Sequence, residues 1–357
     1  RVAFCVPTIG LIGQTAERFA ENGIDHSEIG VIQADHPWRR PHAPIQICSA
    51  QTLARRDLPP VDVVVIDEAH VRYKVYDKWI AEPNGVKLFV GLTATPWSKG
   101  LGKLFDDLVK PTSTQELIDL GFLSKFRVFA PSHPDLSGVR TVAGDYHEGD
   151  LAQAMSKAHL VADVVTQWLA RGQNRPTLCF AVNRAHAQLL AMQFNEAGVS
   201  CAYVDANTPR EERETIGKRL ASGDVKVVCN IGCLTTGIDW DVRCLILARP
   251  TKSEMLFVQI IGRALRTAEG KDHAIILDHS DTHLRLGMVT DIDHDALDDG
   301  SAVSANRRKT EKRAPMPREC EACAALIPAG MRECPCCGTV APIRTGVSVG
   351  DGDLEEI

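Results

Sequence analysis

The stretch that decides the fold is VVVIDEAH, residues 63–70. A short, apolar, β-branched run of this kind is typical of a strand buried on both faces in a parallel α/β sheet. It ends in two adjacent carboxylates, Asp67 and Glu68, and ligands of such sheets bind at the carboxyl ends of strands. One carboxylate could hold a hydrated Mg²⁺ ion while the other polarises a water molecule. The alternative interpretation is a strand followed by a solvated acidic turn.

Length and composition predict a soluble globular protein with two domains and a small appendage, since 357 residues are 44% hydrophobic and 24% charged. The formal net charge of −6 argues against attraction of nucleic acid over the whole surface, so any such binding needs a local basic groove. We find no apolar run of membrane-spanning length and no signal peptide, and therefore expect a cytoplasmic protein. The chain enters a strand-like run directly after Arg1, and we interpret this as an N-terminal truncation.

Strand-like runs alternate with amphipathic helical stretches, which predicts two parallel-sheet lobes. The runs of the first lobe are residues 2–7, 45–48, 61–66 and 86–92, with a helix over residues 11–22. The runs of the second lobe are residues 177–182, 201–204, 225–230, 242–247 and 273–277. Helices of the second lobe are predicted over residues 151–169, 184–197, 210–222 and 253–266.

The expected domain organisation follows from these runs and from shifts in composition. It comprises a first lobe (1–110), a connector (111–150) with one strand at 126–130, a second lobe (151–290), a charged linker (291–318), a zinc ribbon (319–345) and an acidic tail (346–357). The acidic half of the linker is interpreted as disordered, solvated sequence. The basic half, residues 307–313, could instead lie along phosphates.

Cysteines are used in two different ways. Seven lie between Cys5 and Cys244, mostly in strand-like runs, and are expected to be small buried hydrophobes of a reducing compartment. Two Cys-x-x-Cys pairs, ten residues apart near the C-terminus, suit a tetrahedral structural Zn²⁺ ion and resemble zinc ribbons. Their members are Cys320, Cys323, Cys334 and Cys337. A fifth cysteine, Cys336, could compete as a ligand, and disulfides are the alternative.

The predicted helix over residues 253–266 has an unusual face. Gln259, Gly262, Arg263 and Arg266 are spaced so that they share one side of the helix, while most other positions are apolar. A mostly buried helix that presents two arginines is costly unless the guanidinium groups meet anions, and phosphate oxygens match their planar fork. The alternative is an exposed stripe with surface salt bridges.

Three stretches resemble motifs of superfamily 2 helicases. Asp67-Glu68-Ala69-His70 resembles motif II, Thr93-Ala94-Thr95-Pro96 resembles motif III, and residues 259–266 resemble motif VI. Residues 234–239 resemble motif V, residues 180–184 motif IV and Pro7-Thr8 motif Ia, and residues 49–53 resemble the next strand-contacting motif. The order and spacing of these motifs make the combination specific. The chain looks most similar to bacterial DNA-repair and phage helicases of the RadD type, which are related to type III restriction translocases.

This resemblance implies two RecA-like lobes that bind ATP and Mg²⁺ between them. Asp67 would hold the metal, Glu68 would orient the attacking water, and His70 would couple the nucleotide site to the nucleic-acid cleft. From the second lobe, the expected catalytic or nucleotide-binding residues are Gln259, Arg263, Arg266, Gly237 and Asp239. The expected nucleic-acid contacts are Pro7, Thr8, Gln51, Thr52, Asn183, Arg184, Thr235 and Thr236.

The implied activity is movement along DNA, single-stranded or forked and preferred over RNA, driven by ATP hydrolysis in repair or replication. Repair or replication proteins would be the partners, and no membrane is involved. One motif is missing, because none of the Gly-Lys pairs at residues 102–103, 217–218 and 270–271 is followed by Ser or Thr as in a P-loop. The resemblance places that loop upstream of Arg1, so we expect these 357 residues alone not to hydrolyse ATP. The alternatives are a non-catalytic nucleic-acid-binding or adaptor module and the translocase subunit of a restriction complex.

Overall fold

The computed structural model describes residues 1–33, 36–235, 239–301 and 316–340. The basic half of the predicted linker and the predicted acidic tail lie outside these residues. Within the described ranges, every helix is too short or too polar to cross a lipid bilayer.

The first lobe is built around a five-stranded sheet in which every pairing is parallel. Its strands are β1 (Val2–Val6), β2 (Ile29–Val31), β3 (Ile45–Ser49), β4 (Val63–Asp67) and β5 (Leu88–Leu92). Its helices are α1 (Leu11–Glu21), α2 (Ala50–Leu53) and α3 (Lys74–Ala81). In the order β2-β3-β1-β4-β5, β5 is an edge strand, and its Leu88 and Leu92 side chains are exposed. The sheet places the end of β4, with its two acids, next to the end of β5.

The second lobe is built around a six-stranded parallel sheet, ordered β10-β11-β9-β12-β13-β6. Its strands are β6 (Lys125–Phe129), β9 (Thr177–Phe180), β10 (Cys201–Val204), β11 (Val227–Asn230), β12 (Cys244–Leu247) and β13 (His273–Asp278). Its helices are α4 (Thr114–Asp119), α5 (Glu148–Met155), α6 (Ala158–Arg171), α7 (Arg184–Glu196), α8 (Arg210–Ser222), α9 (Glu254–Leu265) and α10 (Thr282–Leu286). Apolar clusters cover both faces of this sheet, so its central strands are buried throughout.

Two small antiparallel pairs complete the described chain. The hairpin of β7 (Thr141–Val142) and β8 (Asp145–Tyr146) precedes α5, and β14 (Arg318–Glu319) pairs with β15 (Leu326–Ile327) in the cysteine-rich segment. The chain also makes short 3-10 turns at His26–Glu28, Leu101–Lys103 and Val289–Asp291.

The predicted α/β class with parallel sheets is confirmed, with differences in individual elements. The strand predicted inside the connector is β6, and it belongs to the second sheet because it pairs with β13. The long helix predicted over residues 151–169 is two helices, α5 and α6, interrupted at Ser156 and Lys157. β4 is buried on one face only, since Val64 and Ile66 are inaccessible whereas Val63 and Val65 are half-buried.

The expectation of a disordered acidic linker is wrong for its first part. Residues 293–298 contact the first lobe, where Lys110 pairs with Asp293 and the backbone N–H of Gly102 donates to the Asp298 carbonyl over 2.9 Å. Asp298 is only 3% exposed. Charge density alone suggested a solvated run, but Asp293 and Asp295 pair with Lys110, which lies far away in the sequence.

Two helix glycines give a matched test of packing. A Cβ at Gly217 in α8 would lie 2.5 Å from Nε1 of Trp240, whereas at Gly262 in α9 no described atom lies within 4 Å. We expect Gly217→Ala to lower the free energy of unfolding by about 1–3 kcal/mol through overpacking. Gly262→Ala should raise it by roughly 0.5–1 kcal/mol, because alanine loses less backbone entropy than glycine. Denaturant unfolding measures both, and equal effects would contradict the packing described here.

Candidate functional site

The two acids after β4 are separated by a sharp backbone turn. Glu68 has a φ of 50°, in the left-handed region, which costs a non-glycine residue about 1 kcal/mol or more. Its backbone N–H donates to Oδ1 of Asp67 over 3.0 Å. Burial raises the pKa of the Asp67 carboxyl, and the neighbouring Glu68 charge adds to that rise. A half-buried pair of acids of this kind is a favourable place for a divalent cation, which would restore the charged carboxylate.

His70 connects this turn to the end of β5. Its Nδ1 lies 3.0 Å from Oγ1 of Thr93 and 3.3 Å from Oε2 of Glu68. The same Thr93 hydroxyl oxygen accepts a hydrogen bond from the Thr95 backbone N–H. The sequence-predicted motifs II and III are therefore linked through one imidazole ring.

Helix α9 reaches this ring from the second lobe. The side-chain amide of Gln259 donates to Nε2 of His70, with 2.8 Å between the two nitrogens. An imidazole nitrogen that accepts a hydrogen bond must be unprotonated, so Nδ1 carries the proton and donates towards Thr93. Burial lowers the pKa of His70 below its usual value, which favours this neutral form. The contact joins the two lobes at the predicted nucleotide site.

Arg263 of α9 and Arg266, the residue directly after this helix, are near enough to Glu68 for their charges to act on it. Arg263 is buried and donates to the Thr235 carbonyl, and burial lowers its pKa to about 10, which leaves it charged at neutral pH. Burial raises the pKa of Glu68, and the positive charges of Arg263 and Arg266 oppose that rise. Glu68 of the first lobe and the two guanidinium groups of the second lobe therefore interact electrostatically.

A second contact between the lobes was not predicted. Asp239 pairs with Arg266 over 3.1 Å and, through its other carboxylate oxygen, with Arg18 of α1 over 3.4 Å. Nothing in the local sequence marks Arg18, because an exposed arginine on an amphipathic helix is ordinary. The neighbouring candidates Thr236 and Gly237 lie outside the described residues.

The predicted nucleic-acid contacts in the first lobe cluster at the ends of β1 and β3. The Pro7 carbonyl accepts from Nε2 of Gln51 over 3.3 Å and from the Tyr73 hydroxyl over 3.0 Å. Thr8 and Gln51 are exposed. Thr52 is buried instead, with its hydroxyl 3.1 Å from that of Ser49, the N-cap of α2. Its side chain thus serves the helix cap and does not face solvent.

The second-lobe candidates have mixed roles. Asn183 caps α7 by accepting from the His186 backbone N–H, and Arg184 is half-exposed and pairs with Asp205 over 3.0 Å. The Thr235 hydroxyl donates to the Gly232 carbonyl over 2.7 Å. The structure therefore commits Asn183 and Thr235 to local turns.

The four predicted zinc ligands come together. The Sγ atoms of Cys320, Cys323, Cys334 and Cys337 all lie within 4.8 Å of one another. The Cys320–Cys337 and Cys323–Cys334 sulfur pairs are 3.6 and 3.7 Å apart. A tetrahedral ion with Zn–S bonds of about 2.3 Å separates its sulfurs by about 3.8 Å, so the spacing fits such an ion and is too long for disulfides. Cys336 is not part of the quartet.

The cysteine-rich segment is packed on the outer strand of the second sheet. The Ala130 N–H, just beyond β6, donates to the Ala324 carbonyl over 3.1 Å. Arg171 of α6 donates to the Cys323 carbonyl over 2.8 Å. Residues of the segment that belong to the same apolar cluster as α6 and the sheet are Cys320, Ala325, Ile327 and Cys334. The cysteine quartet is therefore continuous with the apolar core on this face of the second sheet.

Two family comparisons cover most of this chain. Residues 1–98 match the type III restriction enzyme res subunit, and residues 157–268 match the helicase conserved C-terminal domain. A 51.5 kDa protein of a Lactococcus phage is 27% identical over 95% of this chain and 72% of its own length. The putative ATP-dependent helicase IRC3 of Saccharomyces cerevisiae is 30% identical over 71% of this chain, which spans only 39% of that protein.

A solved structure supports the fold. The ATP-dependent type ISP restriction-modification enzyme LlaBIII, determined bound to DNA, aligns with a TM-score of 0.51 and 17% identity over 77% of this chain and 24% of its own. The two matched domains occur in the order of the two sheets described above. The residues quoted for motif II lie in the first matched domain, and those quoted for motif VI lie in the second. The chain belongs to the superfamily 2 helicases, in the branch related to type III restriction enzymes.

Proposed function

We propose that this chain is the motor part of an ATP-dependent DNA helicase or translocase. The observation that carries the proposal is the meeting of the lobes at one site, where Gln259 contacts His70 and the charges of Arg263 and Arg266 act on Glu68. Acids from one lobe and guanidinium groups from the other are what phosphoryl transfer to water requires.

In this proposal Asp67 holds Mg²⁺ and Glu68 orients the attacking water. Arg263 and Arg266 stabilise the negative charge that develops on the transferred phosphoryl group, and Asp239 positions Arg266 through their ion pair. Desolvation lowers the pKa of Arg263 and raises that of Glu68, so both groups lie in a poorly hydrated site. Charges interact more strongly in such a site than in water, so bound phosphates would meet strong, preorganised charges. ATP binding and release would then close and open the lobes.

We propose single-stranded or forked DNA as the track, and a role in repair or replication. Exposed Thr8 and Gln51 lie at the carboxyl ends of first-sheet strands, where they can reach a phosphate backbone, and Arg184 can do so from the second lobe. The match to a restriction-enzyme subunit favours DNA over RNA. Residues 1–357 contain no Gly-Lys-Ser/Thr, so we expect these residues alone to show only background ATP hydrolysis.

Substituting Glu68 tests the motor function. In the longest form of the protein that hydrolyses ATP, Glu68→Gln should reduce DNA-stimulated turnover by about 10²–10⁴-fold, because the water loses its base. Nucleotide binding should be retained, as measured by equilibrium binding of a fluorescent ATP analogue.

The matched control is Glu82→Gln, which makes the same change at an exposed position of the first lobe and should leave turnover unchanged. Full activity in Glu68→Gln would remove Glu68 from the mechanism. Absence of DNA-stimulated hydrolysis in every form of the protein would contradict the motor function itself.

The contact between His70 and Gln259 should depend on pH. Burial depresses the folded-state pKa of His70, so the neutral acceptor is present above the unfolded value of about 6.5 and is lost as the pH falls through the lower folded-state pKa. A double-mutant cycle with His70→Ala and Gln259→Ala should give a coupling of about 0.5–1.5 kcal/mol at about pH 8, and this coupling should fall as the pH drops through the lowered folded-state pKa of His70. Denaturant unfolding supplies the four free energies, and a coupling independent of pH would contradict the assigned tautomer.

We also propose that the cysteine quartet binds one structural Zn²⁺ ion. The sulfur spacing described above supports this, because all four Sγ atoms lie within 4.8 Å of one another. Since the quartet lies against the second sheet, the ion would brace the outer strand of that sheet.

Metal analysis of cysteine variants tests the zinc site. Cys334→Ser should lose the bound metal, about one ion per chain, and should lower the unfolding temperature because zinc binding contributes folding free energy. Cys336→Ser, the adjacent cysteine outside the quartet, should keep both. Equal metal loss in the two variants, or no zinc in the purified protein, would contradict the site.

A further inference from the structure

Residues 292–301, here called the acidic strap, follow the second lobe and lie against the first. The strap contains four aspartates, Asp293, Asp295, Asp298 and Asp299. It contacts the segment between β5 and α4, residues 93–113, and is separate from the His70–Gln259 and Arg18–Asp239 contacts.

The first contact is ionic. Nζ of Lys110 lies 2.9 Å from Asp293 and 2.5 Å from Asp295, and hydrogen bonds to the two carboxylates raise the pKa of this lysine. Both aspartates are more than half exposed. Exposed pairs contribute little to stability individually and weaken with added salt. The ion pairs of Lys110 therefore orient the strap but contribute little to the free energy that keeps it bound.

The second contact involves both lobes through one side chain. The His294 ring packs on the Trp97 ring with 4.8 Å between centroids, and its Nε2 lies 2.8 Å from Oε2 of Glu254. Trp97 comes directly after the Thr93–Pro96 stretch, and Glu254 is the first residue of α9. His294 thus connects the segment that supports His70 with the helix that carries Gln259.

The third contact is a backbone hydrogen bond in a tight space. The Gly102 N–H donates to the Asp298 carbonyl over 2.9 Å, and a Cβ at Gly102 would lie 3.2 Å from the carbonyl carbon of Asp298. Asp298 and Trp97 are 3% and 7% exposed. Burial of these groups makes this end the firm part of the strap.

We propose that the acidic strap is a built-in tie that limits how far the two lobes separate. It joins the loop after β5 to the start of α9, so the lobes cannot open at the nucleotide elements without breaking the His294 and Asp298 contacts. The proposal concerns the shape of the chain and stands whether or not the protein hydrolyses ATP.

Hydrogen exchange at Gly102 tests the tie directly, because its N–H is bonded to the strap. The triple variant Asp293→Asn, His294→Ala, Asp295→Asn should increase amide exchange at Gly102 on the order of tenfold. The same variant should increase the radius of gyration measured by small-angle X-ray scattering. Gly102→Ala should also increase the radius of gyration, without changing charge, because the added methyl group would lie 3.2 Å from the Asp298 carbonyl carbon and would crowd the strap.

The control is Glu211→Gln with Glu212→Gln, which neutralises two exposed acids on α8 outside the strap. Circular dichroism confirms that each variant is folded. Faster Gly102 exchange in the triple variant and a larger radius of gyration in both strap variants, with neither change in the control, would support the tie. Unchanged Gly102 exchange, or faster exchange with an unchanged radius of gyration, would overturn it.

Discussion

The hydrogen bond from Gln259 to His70 requires a neutral imidazole in which Nε2 is unprotonated and Nδ1 carries the proton. That state is favoured by burial, which lowers the pKa of His70, and Gln259 supplies its hydrogen bond from the second lobe. The same ring is in contact with Thr93 and Glu68. A change in the separation of the lobes would therefore alter the contacts of the turn that carries the two acids. A ligand bound at those acids would in the same way alter the contact between the lobes.

Charge complementarity at the site is maintained at a cost to the free chain. Burial raises the pKa of both Asp67 and Glu68 and lowers that of Arg263. The charged form of each group is therefore less stable here than it would be in water. Left-handed backbone at Glu68 adds local strain. These features are expected where a site is organised for an anionic, metal-bound ligand and is incomplete without it.

Sequence periodicity was sufficient for most elements of both sheets, because buried parallel strands are apolar runs and the helices are amphipathic. It missed β2, which is three residues long and has no recognisable pattern. It also placed β6 in a connector, since pairing with β13 is a property of the whole sheet. Among site residues, the helical spacing of Gln259 and Arg263 predicted their shared direction. The buried position of Thr52 and the Arg18 contact depend on tertiary neighbours and leave no local signal.

The attachment of the cysteine segment to β6 has a consequence for the order in which the protein is made. Strand β6 is complete once residue 129 has left the ribosome, yet the backbone of Ala130 finds its partner only at Ala324. Nearly two hundred residues must therefore be synthesised before that side of the second sheet is covered. During this interval the strand presents an open edge to other nascent chains, which closes only when the cysteine segment has been synthesised and has packed on it.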